Sequence, residues 1–154
     1  MLDRFARFSL AISEIHRCWH KLATEEMAKY ELNSPHAIYL NTLYCYPDGI
    51  TAAQLGELCG KDKADVSRMV SILESKALVH RNTAGGNRYR AKLMLTEKGK
   101  EAAMHVRSRA ILAVERAGAG LSDEDREVFY RSLGRIATNL QSLCKEGLPH
   151  QERI

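Results

Sequence analysis

Apolar residues recur at alternating spacings of three and four positions near both ends of this 154-residue chain. The first such run predicts a helix from about Asp3 to Tyr30, and the second predicts a helix that starts after Ser122. Both runs form narrow, heptad-like stripes, which are typical of a helix that packs against one partner helix. The stripe residues are Phe5, Phe8, Ile12, Ile15, Trp19 and Leu22 in the first helix, and Phe129, Leu133, Ile136, Leu140 and Leu143 in the last.

Proline and glycine divide the following segment into short helices. The Ser-Pro pair at 34–35 predicts the N-cap and first residue of a second helix, since proline there lacks only an N–H that would be unpaired anyway. That helix is predicted to extend to Tyr46 and to end at the Pro-Asp-Gly turn 47–49. Thr51, with glutamine three residues later, forms a capping-box pattern that predicts a third helix ending at Gly60.

A fourth helix is predicted from its N-cap Asp62 to about Lys76. Its apolar residues fall on one face at helical spacing: Val66, Met69, Val70 and Leu73. The opposite face carries Ala64, Ser67, Arg68 and Ser71. A small, polar and positively charged face is unusual for a helix that only needs to be soluble.

Beyond the fourth helix, between positions 78 and 95, the hydrophobic period drops to two. Arg90 and Lys92 alternate with apolar neighbours, which predicts a half-buried strand. The segment 84–87 (Ala-Gly-Gly-Asn) supplies the left-handed conformations of a hairpin tip. Thr96 then caps a fifth helix that is predicted to end near Gly118 and Gly120, and Ser122 caps the sixth.

The overall composition is that of one soluble globular domain, with 45% hydrophobic and 27% charged residues. No apolar run approaches the roughly 18 to 20 residues that cross a bilayer, and the amphipathic N-terminus lacks a secretory cleavage signature. We therefore expect a cytoplasmic protein with no membrane partner. The cysteines at 18, 45, 59 and 144 are too widely spaced for a disulfide framework, so reduced thiols are expected.

Positive charge is concentrated in the middle of the chain. Residues 61–92 contain eight basic and three acidic side chains, a net charge of +5, whereas the whole chain carries +4. The remainder of the chain therefore sums to about −1. Positive charge on one compact helical module indicates a surface that binds a polyanion.

Between Thr51 and Gly99, several short motifs follow one another in order. They are Leu55-x-x-Leu58, the run 62–70 (DKADVSRMV), the run 73–79 (LESKALV) and the run 95–99 (LTEKG). This ordered set resembles the multiple antibiotic resistance regulator (MarR) family of winged helix-turn-helix transcription factors. The resemblance implies a mainly α fold, with a short β-hairpin wing flanked by N- and C-terminal dimerisation helices. In that family the fourth helix lies in the major groove of DNA, and the wing tip reaches the minor groove.

Carried onto this chain, the resemblance implies that Lys63, Ser67 and Arg68 face DNA from the fourth helix, with Arg88 at the wing tip. An arginine at position 68 suits guanine or a phosphate, and one at position 88 suits the narrow minor groove of A·T-rich sequence. The full set of predicted DNA-binding residues is Lys63, Ala64, Asp65, Ser67, Arg68, Ser71, Asn87, Arg88 and Arg90.

Four positions depart from the family pattern. Ala64 replaces a frequent serine, Asn87 a frequent aspartate, and Ala77 the usual glycine. Asp65 stands where a hydroxyl residue is common, and it either accepts a hydrogen bond from a cytosine amine or stabilises the helix N-terminus. We favour the second role, because an acid near phosphates otherwise weakens binding.

The two apolar stripes predict how a single domain over residues 1–154 assembles. Residues 1–33 and 97–146 would be dimerisation helices, residues 34–96 the winged module, and residues 147–154 a tail. We expect the terminal helices of two chains to interlock in a homodimer; the alternative is a monomeric bundle with both stripes internal. A homodimer would place its fourth helices on the half-sites of a pseudo-palindromic operator, about 10 base pairs apart.

The resemblance also implies a small-molecule pocket for a phenolic or carboxylic effector. Its walls here would include Trp19, His36, Tyr39 and Tyr44; alternatively, these aromatic residues simply fill the core.

Cys18 resembles the reactive cysteine of peroxide-sensing members, but a free cysteine is most often a small buried hydrophobe. We favour packing over redox sensing for this residue.

The remaining constellations do not indicate catalysis. His16 and His20 are four residues apart, a spacing that can chelate a metal, but no third ligand is near, so no metal or cofactor is predicted. No nucleophile–base–acid set is evident, which argues against an enzyme.

The sequence predicts a repressor of transcription that a small molecule or oxidant releases from its operator. The alternative is a winged-helix protein-interaction module without operator recognition.

Overall fold

The computed structural model describes residues 3–83 and 91–148. This part of the chain contains six helices and one antiparallel pair of strands: α1 (Arg4–Ala28), α2 (His36–Cys45), α3 (Ala52–Cys59), α4 (Lys63–Ser75), β1 (Val79–Asn82), β2 (Lys92–Leu95), α5 (Glu97–Ala117) and α6 (Asp123–Glu146). The mainly α fold with a short hairpin is confirmed. None of the helices described combines the length and the apolar character that a membrane span needs.

The chain divides into two compact units, the first ending at Leu112 and the second beginning at Ala113. The first unit holds α1 to α4, the hairpin and most of α5. The second holds the end of α5 and all of α6.

Polar N-cap side chains start the helices, and all of them except Asp3 were predicted as caps from the sequence. Asp3, Thr51, Asp62 and Ser122 each accept a hydrogen bond from the backbone N–H three residues on. Thr51 forms both bonds of the predicted capping box with its glutamine partner, and Thr96 Oγ1 accepts from the Gly99 N–H at 2.9 Å. These local bonds fix where each helix begins.

The start of α2 differs from the prediction. Pro35 occupies the N-cap position without a capping side chain, and Ser34 lies in the turn before it. The Ser34 hydroxyl is engaged elsewhere, because its Oγ lies 2.8 Å from His20 Nε2 of α1. A tertiary contact between α1 and the α1–α2 connection has therefore replaced the expected local cap.

The core of the first unit lies where α2, α3 and α4 pack around the hairpin. β1 and β2 pair in antiparallel register, with Val79 opposite Leu95. Ile50 extends this pairing: its N–H donates to Leu93 O at 3.2 Å and its carbonyl accepts from the Leu93 N–H at 2.7 Å. This isolated β-bridge beside the predicted turn was not evident from the sequence pattern.

The C-terminal end of α4 is joined tightly to the beginning of α5. Thr96 donates twice into this junction, from its N–H to Leu78 O at 3.0 Å and from its Oγ1 to Ala77 O at 2.7 Å. Lys98 Nζ donates to the Lys76 carbonyl at 3.1 Å. Gly99 approaches so closely that a Cβ on it would lie 1.9 Å from Leu78 O. Only glycine fits at position 99.

Ala77 ends α4 in a left-handed conformation, with φ of +57°. Its N–H donates to Glu74 O at 2.9 Å, and the Leu78 N–H donates to Leu73 O at 2.9 Å. This is the Schellman pattern, which usually places glycine at this position. The chain therefore adopts this left-handed helix end although the residue there is alanine.

Replacing Ala77 with glycine is expected to stabilise the fold. The left-handed conformation costs an alanine about 1–2 kcal/mol, partly offset because glycine makes the unfolded chain more flexible. We expect Ala77→Gly to raise the free energy of unfolding by about 0.5–1 kcal/mol in denaturant titrations. Gly60 is the converse control, because its φ is +64° and a Cβ there would have no atom within 4 Å. Gly60→Ala should therefore lower the free energy of unfolding through backbone strain alone. A loss of stability in Ala77→Gly would contradict the assignment.

Glu26, near the end of α1, is surrounded by two cationic side chains and a histidine. Its carboxylate pairs with Lys29, lies 3.0 Å from Arg109 Nε, and lies 3.1 Å from His105 Nε2. These contacts, the bond from Lys29 first, lower the pKa of Glu26 from 4.5 to about 2. The cluster ties α1 to α5.

Removing the Glu26 charge is expected to change the acid stability of the protein. Because the pKa of Glu26 is lowered in the folded state, the ionised carboxylate stabilises the fold fully above about pH 4.5. This contribution is lost as the pH falls toward about 2. Glu26→Gln should be less stable than wild type near neutral pH, and the two stability curves should converge in acid. Glu25→Gln is the control, since Glu25 makes only an exposed pair with Lys21. Parallel curves for Glu26→Gln and wild type would contradict this account.

In the second unit, Arg126 fixes the turn that leads into α6. Its Nη2 donates to Gly118 O at 2.8 Å, and its Nη1 lies 3.6 Å from Glu115 Oε2. Gly120 has a φ of +88°, which suits glycine at this turn. No residue of α6 is buried in the single chain.

Candidate nucleic-acid interface

Helix α4 is held along one edge and exposed along the other. Val66, Val70 and Leu73 are buried in the core, as predicted, and Met69 is half-buried beside them. The opposite face is exposed, and it carries Lys63, Ala64, Ser67, Arg68 and Ser71. The structure therefore places five of the predicted DNA-binding residues together on one accessible helix face.

Several of the basic residues in the middle of the chain are already paired within the fold. Arg81 Nε lies 2.7 Å from Glu74 Oε1, and Lys76 pairs with Glu31. Lys92 Nζ donates to the Asp48 carbonyl at 3.3 Å. The net charge of the segment therefore overstates the charge directed toward a partner.

Asp65 is the exception on the exposed face of α4, because its carboxylate turns inward. Its Oδ2 accepts a hydrogen bond from the Tyr39 hydroxyl of α2 at 3.4 Å. Its Oδ1 accepts from Arg68 Nη2 at 3.5 Å. Burial first, and then the nearby carboxylate, raise the pKa of Tyr39 to about 12, so the phenol stays protonated and donates. These contacts give the Asp65 carboxylate partners within the fold, in addition to its place in the first turn of α4.

The Tyr39–Asp65–Arg68 contacts belong to the candidate site and were not predicted from the sequence. The sequence assigns Tyr39 to the effector pocket or the core, and Asp65 to a base contact or the helix N-terminus. Asp65 and Arg68 are three residues apart in a helix, a spacing that places both side chains on one face, so their contact could have been predicted from the sequence. The contact with Tyr39 spans different helices and had no such signal.

The predicted DNA-binding residues of the hairpin, Asn87, Arg88 and Arg90, lie outside the described residues, so their roles remain predictions. The strand ladder that precedes and follows them ends at the pair Asn82 and Lys92.

A cavity of about 620 Å³ adjoins the exposed face of α4. It lies between α3, α4 and the hairpin, and Lys61, Lys63 and Arg81 contribute positive charge to its wall. Gly56 allows the close packing of α3 on α4 beside it, since a Cβ there would lie 3.0 Å from both Val66 Cγ2 and Lys61 O. The concave surface continues the cationic face of α4.

The four predicted effector-pocket residues differ in their surroundings. His36 and Tyr39 are fully buried, whereas Trp19 and Tyr44 are exposed. Tyr44 lines a second cavity, of about 670 Å³, that also contacts His80 and none of the other three. The pocket assignment therefore remains a prediction.

His36 is a buried histidine with one nitrogen unused. Its Nδ1 lies 3.1 Å from Asn33 O, while its Nε2 has no hydrogen-bond partner among the described residues. Burial lowers the pKa of His36, which favours the neutral ring.

Cys18 is exposed in the single chain rather than packed in its core. Its Sγ lies 3.4 Å from Glu14 Oε1 and 3.7 Å from Arg17 Nη2. The favoured packing role is therefore not what the isolated chain shows.

On the same helix, the rings of His16 and His20 are 6.2 Å apart, and no group of three metal ligands occurs among the described residues.

The fold is shared with solved structures of transcriptional regulators. A MarR regulator from Methanosarcina mazei is 22% identical, with a TM-score of 0.77, over 93% of this chain and 94% of that one. A putative MarR regulator from Listeria monocytogenes, complexed with 26mer DNA, is 21% identical, with a TM-score of 0.79, over 98% and 99%. The S. aureus MepR–DNA complex is 20% identical, with a TM-score of 0.77, over 86% and 97%.

The chain has the fold of the MarR regulators. At these identities the likeness establishes the fold, and no family model matches the sequence. In this fold, α3 and α4 are the helix-turn-helix and the hairpin is the wing. The resemblance noted in the sequence is thereby confirmed for the architecture.

Proposed function

We propose that this chain is a sequence-specific, DNA-binding regulator of transcription. The observation that supports this most directly is the exposed face of α4, where Lys63, Ser67 and Arg68 project from a helix anchored in the core. Two of the structurally similar regulators were solved with DNA. Double-stranded DNA is the proposed partner, so the protein would act in the cytoplasm as a binding protein rather than an enzyme.

We further propose that the active form is a homodimer. The stripe residues of α1 and α6 are each at least 37% exposed in the single chain, and Phe5 is 77% exposed. Burying a side chain of this size is worth roughly 1.5–3 kcal/mol, so many such residues favour association. Two copies would give two α4 helices, matching the two halves of a pseudo-palindromic operator.

The dimer is tested by placing a charge in the α6 stripe. We expect wild type to elute at twice the chain mass of 17.3 kDa in size exclusion with light scattering. Ile136→Glu would place two carboxylates in the interface and raise the dimer dissociation constant by about 100-fold or more. Thr138→Glu adds the same charge on the opposite helix face and should remain dimeric. A monomeric wild type, or a fully dimeric Ile136→Glu, would contradict the proposal.

DNA binding is tested with the duplex upstream of the protein's own gene. We expect wild-type affinity to fall by at least about 100-fold between about 50 and 200 mM salt, because phosphate contacts release counterions. Arg68→Ala should weaken binding by about 1–3 kcal/mol. Arg17→Ala removes the same charge from an exposed position on α1 and is the matched control.

The competing function is a winged-helix protein-interaction module without operator recognition. It would be favoured if Arg68→Ala and wild type bound the duplex equally, or if wild type bound no duplex at low salt. Ala64 gives this alternative some support, because it offers no hydrogen bond from the exposed face of α4. The contacts of Asp65 with Tyr39 and Arg68 weaken it, because they give this carboxylate a role beside the proposed DNA-binding face.

Repression and its release by a small aromatic or phenolic effector, or by an oxidant at Cys18, are further proposals from the family resemblance. An effector would act by changing the distance between the two α4 helices of the dimer. Such a population shift needs a differential affinity of only a few kcal/mol between the two arrangements.

A further inference from the structure

The Asp65 carboxylate connects the interior of the first unit to its predicted DNA-binding face. One oxygen accepts from the Tyr39 hydroxyl at 3.4 Å, and the other accepts from Arg68 Nη2 at 3.5 Å. The Asp65 backbone N–H donates to the N-cap Asp62 at 2.8 Å, which fixes the start of the same helix. Three residues on two helices thus form one continuous polar chain.

Burial changes steeply along this chain of contacts. Tyr39 is fully buried in α2, the Asp65 side chain is 21% exposed, and the Arg68 side chain is 70% exposed. Core packing holds the tyrosine ring, so its hydroxyl is a fixed donor. An exposed arginine alone samples many rotamers, and a carboxylate anchored from below restricts them.

We propose that Asp65 and Tyr39 are positioning residues that set the direction of the Arg68 guanidinium and thereby the sequence specificity of this chain. The inference rests on the proposed DNA-binding function. Asp65 itself touches no base in this arrangement. Tyr39 acts one contact further back, by holding Asp65.

This arrangement predicts opposite effects on affinity and on specificity. A carboxylate near the phosphate backbone repels DNA of every sequence, so neutralising it should strengthen non-specific binding. The same change releases Arg68, whose forked hydrogen bonds to one base depend on its direction. Asp65 would therefore lower general affinity while raising discrimination.

The test compares Asp65→Asn and Tyr39→Phe with a control that removes the same charge elsewhere. The control is Asp62→Asn, which removes one carboxylate three residues before Asp65. Its N-cap function is retained, because asparagine caps a helix as well as aspartate does. The probes are the duplex that wild type enriches most from a random pool and a scrambled duplex of equal length, both at one salt concentration. The specificity ratio is the scrambled dissociation constant divided by the selected one.

We expect Asp65→Asn to bind the scrambled duplex more tightly than wild type and to lose about 5- to 10-fold of the specificity ratio. Tyr39→Phe should lose about 2- to 5-fold of the ratio, with unchanged binding to the scrambled duplex. Asp62→Asn should tighten both dissociation constants equally and keep the ratio. In an Arg68→Ala background, Asp65→Asn should change the ratio no further.

A measurement on the free protein separates this proposal from the proposed function. Nitrogen relaxation of the Arg68 Nε–H group should show greater side-chain mobility in Asp65→Asn and Tyr39→Phe than in wild type or Asp62→Asn. Equal mobility in all four proteins would overturn the positioning role, as would an unchanged specificity ratio in both variants. A wild type that enriches no duplex would refute DNA recognition, and the relaxation data would still decide whether Asp65 orders Arg68.

Discussion

The arrangement of this molecule depends on the burial of one edge of α4. Val66, Val70 and Leu73 occupy the core, while Asp62 fixes the first turn and the Schellman bonds fix the last. A helix held at both ends and along its length has no freedom to rotate about its axis without exposing those apolar side chains. The outward direction of Lys63, Ser67 and Arg68 is a consequence of this constraint.

Charge has two separate tasks in the first unit. Glu74 pairs with Arg81, and Glu26 contacts Lys29, His105 and Arg109, so these side chains connect elements within the fold. Lys63 and Arg68 lie on the exposed face of α4, where Arg68 also contacts Asp65. The positive charge that α4 presents therefore depends on where the cations lie, more than on the net charge of the segment.

The sequence predicted the parts of the fold that local chemistry controls. The capping box at Thr51, the N-cap at Asp62 and the end of α3 at Gly60 are all decided by residues within one helical turn. The prediction failed at Ser34, whose hydroxyl lies against His20, and it missed the strand pairing of Ile50. These depend on contacts between distant parts of the chain. The same holds for the candidate site. Its exposed α4 face was predictable from the helical periodicity, whereas the contact between Tyr39 and Asp65 joins two helices and was not.

The absence of space at Gly99 makes α4 and α5 mechanically dependent. With the Leu78 carbonyl packed directly against its Cα, the first turn of α5 cannot slide past the last turn of α4. Within the first unit, α5 is also clamped to α1 further along, where His105 and Arg109 meet Glu26. A movement of α1 that displaced α5 would therefore also displace the C-terminal end of α4, because both contacts are made through α5.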